Sequence, residues 1–156
     1  MTKILVLNGP NLNLLGVREP ERYGRTTAAE LDERCVAWGR AVGAEVRCRQ
    51  SNHEGALIDA LHEARTDGTA AVVLNAGGFT HTSVALRDAV AATDLPTVEV
   101  HVTNVHARES FRHRSLLAAV CVGTIAGLGP DGYRAAIETL ARRATGQGAA
   151  GQGAAG

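Results

Sequence analysis

Five short apolar runs recur along this 156-residue chain, and amphipathic stripes of helical period lie between them. The runs fall at 4–7, 44–48, 71–74, 97–102 and 118–122, each of strand length. Most lack strict alternation, as expected of strands covered on both faces. The stretch 30–42 sets Leu31, Cys35, Trp38 and Val42 on one stripe, and 54–65 repeats this with Leu57, Ile58, Leu61 and Ala64. Two further helical stretches, 84–92 and 133–143, complete the set, and Pro130 stands where a first-turn proline belongs. Strands alternating with helices predict a parallel sheet joined by right-handed crossovers. At this length the pattern predicts a flavodoxin-like, doubly wound, three-layer α/β fold with a five-stranded parallel sheet in the order 2-1-3-4-5. Residues 1–145 are expected to form a single domain. The tail 146–156 reads GQGAAGQGAAG, a repeat with nothing to bury, and is expected to be disordered.

Composition narrows the function classes. Sixteen basic and sixteen acidic residues give a formal net charge of zero, which argues against a polyanion partner such as nucleic acid. No apolar run approaches the roughly 20 residues that cross a bilayer, so no membrane role is expected. The first apolar strand is too short for a signal-peptide core, and a cytoplasmic protein is expected. Cys35, Cys48 and Cys121 lie far apart in the chain, which suits reduced structural thiols. Lys3 is the single lysine and precedes the first strand, so no internal Schiff-base lysine is available at a strand end.

In open α/β sheets ligands bind beyond the carboxyl ends of the strands, and polar groups concentrate at those positions here. Asn8-Gly9-Pro10-Asn11 follows the first run, then a charged stretch from Arg18 to Arg25 that includes Tyr23. Asn75-Ala76-Gly77-Gly78 follows the third, leading to His81 and to a Thr/Ser cluster suited to capping a helix. The fourth carries Glu99, His101 and Thr103, with Asn104, His106, Arg108 and Arg112 beyond.

Three rival chemistries compete for these residues. Gly127, Gly129 and Gly132 match the spacing GxGxxG, but the acidic residue a dinucleotide site needs about 20 positions later is missing. Glu99, His101 and His106 form a conceivable metal set, without any metal-ligand spacing to support it. No GxSxG elbow is present for a nucleophilic serine. Aromatic residues make up 3% of the chain, leaving few rings to stack on a flavin. Proton transfer on a small anionic substrate is left, with arginines matching a carboxylate and histidine able to act as an acid near neutral pH.

Five ordered blocks carry a more specific message. LNGPNLNLLGVREPERYG from Leu7, SNHEGALIDALHEA from Ser51, LNAGGFTHTSVALRDA from Leu74, VEVHVTNVHARESFRHRS from Val98 and GTIAGLGPDGY from Gly123 resemble the type II 3-dehydroquinate dehydratases. The resemblance spans nearly the whole chain to about residue 140. It implies dehydration of 3-dehydroquinate to 3-dehydroshikimate in the shikimate pathway, through an enolate and without a cofactor or metal. It makes Tyr23 the base that takes a C2 proton and His101 the acid that protonates the departing C1 hydroxyl. Arg18 would hold Tyr23 as phenolate, Asn11 would orient a water on the enolate oxygen, and Glu99 would orient His101. Asn75, His81, Val102, Thr103 and Arg112 fall at substrate-binding positions; apart from the resemblance, the backbone N–H groups around Gly77 and Gly78 suit an anion. Asp88 would come from a neighbouring subunit, implying a homo-oligomer, a dodecamer built from trimers. Thr103 departs from the family's usual serine; it keeps the hydroxyl and adds a methyl. The competing expectation is a non-catalytic flavodoxin-like module that binds a small anion or nucleotide at the same strand ends.

The chemistry is energetically reasonable. A phenol ordinarily titrates near 10, so ionising one at neutral pH costs about 4 kcal/mol. An arginine within roughly 4 Å, at an effective dielectric near 20, supplies energy of that order. The segment 18–25, charged, with Pro20 inside and Gly24 at its end, suits a lid that closes over substrate.

Overall fold

The computed structural model describes residues 1–146; the expected disordered tail lies, beyond Gly146, outside the described residues. Five strands, β1 (Thr2–Asn8), β2 (Ala44–Gln50), β3 (Ala71–Asn75), β4 (Thr97–His101) and β5 (Gly123–Ala126), form one sheet. Every pairing is parallel and the order is 2-1-3-4-5, as the alternation of elements predicts. Five helices accompany them: the single turn α1 (Pro20–Tyr23), then α2 (Ala28–Ala41), α3 (Glu54–Thr66), α4 (Val84–Thr93) and α5 (Asp131–Ala144).

The two-residue period of β1 sorts its side chains between two cores. Ile4 and Val6 pack with Leu31, Cys35, Ile137 and Leu140, whereas Leu5 and Leu7 pack with Leu57, Leu61, Leu86 and Val90. Helices α2 and α5 therefore cover one face, and α3 and α4 the other. Each fully buried Leu or Ile contributes about 1.5–3 kcal/mol of transfer free energy, which is why apolar runs without alternation settle in the middle layer. Local signals set the helix starts. Thr27 and Glu30 form a reciprocal capping box on α2. Ser83 caps α4 as its composition predicts, accepting from the Leu86 N–H at 2.9 Å and donating to Glu54 Oε2 at 2.6 Å.

The fifth strand differs from expectation. Most of the apolar run 118–122 lies outside the sheet: Ala118–Val120 is a 3-10 turn, Val122 donates its N–H to the Thr97 carbonyl of β4 at 2.8 Å, and β5 begins at Gly123. The cause is local. Ser115 Oγ accepts from the N–H groups of both Leu117 and Ala118, bending the chain there. Leu117, just before the run, is fully buried against α3 and α4, and Val120 and Cys121 are partly buried on the same core.

Register brings the strand ends together. Asn8 stands opposite Asn75, and His101 opposite Ala126. The crevice opens between β1 and β3, where the strand order reverses. Two glycines allow the loops to meet there. A Cβ on Gly9 would lie 2.5 Å from the Ala76 carbonyl oxygen, and Gly77, at φ +58°, faces the Pro10 carbonyl.

Candidate active site

A cleft lies over this crevice, at the carboxyl ends of the strands where ligands bind in such sheets. Asn11, Arg18, Tyr23, Asn75, Gly77, Gly78, His81, His101, Val102, Thr103 and Arg112 all line it, joined by Arg108. Four chain segments thus deliver the expected residues to one place. Glu99 lies behind His101, 1% exposed, and Asp88 is exposed on α4, outside the cleft of its own chain.

Behind His101 runs a buried chain of hydrogen bonds. Glu99 and His101 alternate with Val100 on β4 and so share a face. Glu99 Oε2 and His101 Nε2 are 2.5 Å apart, and Ser115 Oγ is 2.6 Å from Glu99 Oε1. The Ser115 oxygen already accepts two backbone N–H groups, so its own proton is directed at Glu99. With the carboxylate accepting on both oxygens, Nε2 of His101 carries a proton and Nδ1 is the nitrogen left for a ligand. The imidazole of His81 stacks nearly parallel to that of His101, centroids 6.3 Å apart. His81 donates from Nδ1 to the Arg114 carbonyl at 2.7 Å, which leaves its Nε2 unengaged.

Around Tyr23, Arg18 lies close as the sequence expects, but a second arginine makes the hydrogen bond. Tyr23 is half-buried at the end of α1 and packs against the core. Arg18 is close, its guanidinium carbon 5.0 Å from the ring centroid, but it lies over the ring and 3.6 Å from Glu19. The hydrogen bond to the phenol oxygen comes from Arg108, whose Nη1 is 2.8 Å from Tyr23 Oη and 3.3 Å from Thr103 Oγ1. Two guanidinium groups therefore flank one phenol. Arg112 is steered by Glu109, at 2.7 Å, and stacks over Phe111.

The remaining cleft residues are braced from outside. Asn11, in a left-handed conformation at φ 68°, has its N–H held by Asn52 Oδ1, and Gln50 bonds both Asn52 and the Gly9 carbonyl. Asn75 accepts from the Gly77 N–H through Oδ1 at 3.2 Å and donates to Tyr133 Oη at 2.8 Å. Tyr133 in turn donates to Asn8 Oδ1 at 2.7 Å. Complete burial pushes the Tyr133 phenol well above its ordinary range, so it stays a neutral hydroxyl.

Geometry bears on two of the rival chemistries. In the glycine motif, the Gly127 and Gly129 N–H groups donate to the carbonyls of His101 and Val102, at 3.3 and 3.0 Å, so they hold the end of β4. Glu99 and His101 are paired with each other, while His106 lies beside His113, ring centroids 6.0 Å apart. Among the described residues no three His, Cys, Asp or Glu groups are arranged to hold a metal ion. No described helix is long and apolar enough to cross a membrane.

Arg108, Ser115, Tyr133 and Asn8 were not among the residues singled out as functional from the sequence. Arg108 was visible in the polar list after β4, and its arginine type was the available signal. Ser115 and Tyr133 act across tertiary contacts and leave no spacing signature.

The chain matches the family described as dehydroquinase class II over residues 2–141. It is 56% identical over 140 residues to a 3-dehydroquinate dehydratase of Bradyrhizobium sp. (strain BTAi1), covering 90% of this chain and 86% of that protein. It is likewise 56% identical over 148 residues to a catabolic 3-dehydroquinase of Pyricularia oryzae, covering 94% of each. The crystal structure of a type II dehydroquinase from Butyrivibrio crossotus superposes with a TM-score of 0.88 at 47% identity, covering 89% of this chain and 97% of that one. Five parallel strands in the order 2-1-3-4-5, a cleft at their carboxyl ends and this degree of identity agree: the chain belongs to the class II dehydroquinase family.

Proposed function

We propose that this chain converts 3-dehydroquinate to 3-dehydroshikimate and water, with Tyr23 as base and His101 as acid. The observation that carries the reading is the pair of chemically opposite groups in one cleft: a phenol flanked by Arg18 and Arg108, and an imidazole backed by Glu99. Positive charge beside a phenol favours its ionised form. The Tyr23 phenolate removes a proton from C2, and the electron pair moves onto the neighbouring carbonyl oxygen as an enolate. The enolate then collapses, the C1–O bond breaks, and His101 supplies the proton that makes the leaving group water. Tyr23 ends one proton richer and His101 one poorer, and exchange with solvent resets both.

Within this reading Arg112 binds the substrate carboxylate as a guanidinium fork. Asn75, His81, Thr103 and the backbone at Val102, Gly77 and Gly78 address the hydroxyl and carbonyl oxygens. Asn11 positions a water at the enolate oxygen. The 18–25 segment acts as a lid that excludes water during the elimination. Asp88, exposed and remote from its own cleft, serves a neighbouring subunit in a dodecamer of trimers, testable by light scattering on the purified protein. A cytoplasmic location belongs to the same proposal, supported by three free thiols. A non-catalytic binding module would have no use for the paired acid and base.

The deciding experiment follows the absorbance of the conjugated product formed from 3-dehydroquinate. The wild-type chain is expected to turn over and Tyr23→Phe to lose activity by several orders of magnitude. Binding without turnover by the wild type would support the module instead.

A further inference from the structure

Tyr133 follows the glycine motif at the start of α5, is wholly buried, and has no part in the proton transfers. Its hydroxyl is nevertheless the middle of a directed relay across the strand ends. The direction is set at one end. The Gly77 N–H can only donate, so the Asn75 atom that faces it must be Oδ1, and the atom facing Tyr133 must be Nδ2. The Tyr133 oxygen therefore accepts, and its proton goes to Asn8 Oδ1. Asn8, Asn75 and Tyr133 are exposed by 4%, 3% and 0%, so no solvent is at hand to replace a lost partner.

An amide nitrogen carries two protons. Tyr133 takes one from Asn75; the other has no partner among the described residues, and Asn75 lines the cleft while Asn8 does not. We infer that Tyr133 is a positioning residue: by holding one N–H of Asn75, it fixes the amide so that Asn75 offers the substrate a hydrogen-bond donor and never its carbonyl. This deepens the dehydratase reading and rests on it. An amide free to turn would place its oxygen against an electron-rich oxygen of the substrate, and would bind it less well. Gly77 alone leaves the far end of the amide loose; Tyr133 closes it, through a hydroxyl that itself has only one acceptor.

The test is a steady-state cycle on the full chain with 3-dehydroquinate, well below the melting temperature. Tyr133→Phe is expected to lower kcat/KM about tenfold, chiefly through KM, because the lost contact is made to bound substrate in ground state and transition state alike. Asn75→Ala should lower it at least as far, and adding Tyr133→Phe to Asn75→Ala should cost nothing more. Asn8→Ala removes the acceptor of the Tyr133 proton without touching the cleft, and should give a smaller loss that also vanishes in the Asn75→Ala background. This keeps the inference testable should Tyr133→Phe fold poorly. A purely structural Tyr133 would instead lower the melting temperature with kcat/KM unchanged, or give losses that multiply in the double variant; either result overturns the inference. Absence of turnover by the wild type would remove the dehydratase reading itself, a result distinct from both.

Discussion

Arg108 donates to the phenol oxygen of Tyr23 at 2.8 Å across 85 positions of sequence, while Arg18, five positions away, lies over the ring. The two cations thus act on the phenol differently. One hydrogen-bonds the phenol oxygen, and the other lies against the ring face. Removing Arg108 is expected to do the greater harm. Arg108→Gln should lower kcat by about a hundredfold, and Arg18→Gln should lower it by less. Steady-state kinetics of both variants decide it, and an unchanged kcat in Arg108→Gln would show that this hydrogen bond does not serve the reaction.

At the acid end, Ser115 is expected to matter although it touches no substrate. Its hydroxyl holds the Glu99 carboxylate, which holds His101. Ser115→Ala should reduce kcat about tenfold, some 1.4 kcal/mol, with KM little altered. Ser115→Thr should retain most of the activity. Equal kcat in wild type and Ser115→Ala would count against the relay.

Close packing of the two loops predicts a sharp contrast between glycines. A Cβ at Gly9 would meet the backbone at Ala76, which cannot swing away, so Gly9→Ala should destabilise the fold by about 2–3 kcal/mol. Gly55, near the start of α3 with nothing within 4 Å of its Cβ position, should gain roughly 0.5 kcal/mol on change to Ala. Urea denaturation of both variants tests this, and a neutral Gly9→Ala would refute the tight approach.

The thiols are expected to be unreactive in the folded protein. Burial first, and then the charge of Glu99, push Cys121 up to about 12, and Cys48 is also pushed far up, first by its neighbour Cys35 and then by burial. At pH 8 iodoacetamide should leave the native chain unmodified and label it once unfolded, as mass spectrometry would reveal; rapid native labelling of Cys121 would contradict this. The sign of the linked stability effect follows. An unfolded thiol ionises near 8.5 while folded Cys121 does not, so the contribution is intact below that pH and is lost as pH rises toward 12. Cys121→Ala should therefore flatten part of the alkaline decline in melting temperature.

Most of the fold was legible because one variable, apolar periodicity, places β1 to β4 and the long helices in their layers. The failure at 118–122 has the same origin, since periodicity cannot tell a buried strand from a turn folded onto a core; Leu117 and the Ser115 cap decided it. Of the site, the residues at strand ends were legible by position, and their roles came with the family resemblance. Arg108 over Arg18 was not legible, because which arginine reaches a phenol depends on how two loops lie over each other. Nor was Ser115 or Tyr133, each of which acts from a different element on a residue it does not neighbour in sequence.

The inward-turned glycine motif has a consequence for the protein in a crowded cell. A loop of this spacing elsewhere opens its amides to a pyrophosphate, but here Gly127 and Gly129 close theirs on the end of β4. The abundant nucleotides of metabolism therefore find no phosphate grip on this loop.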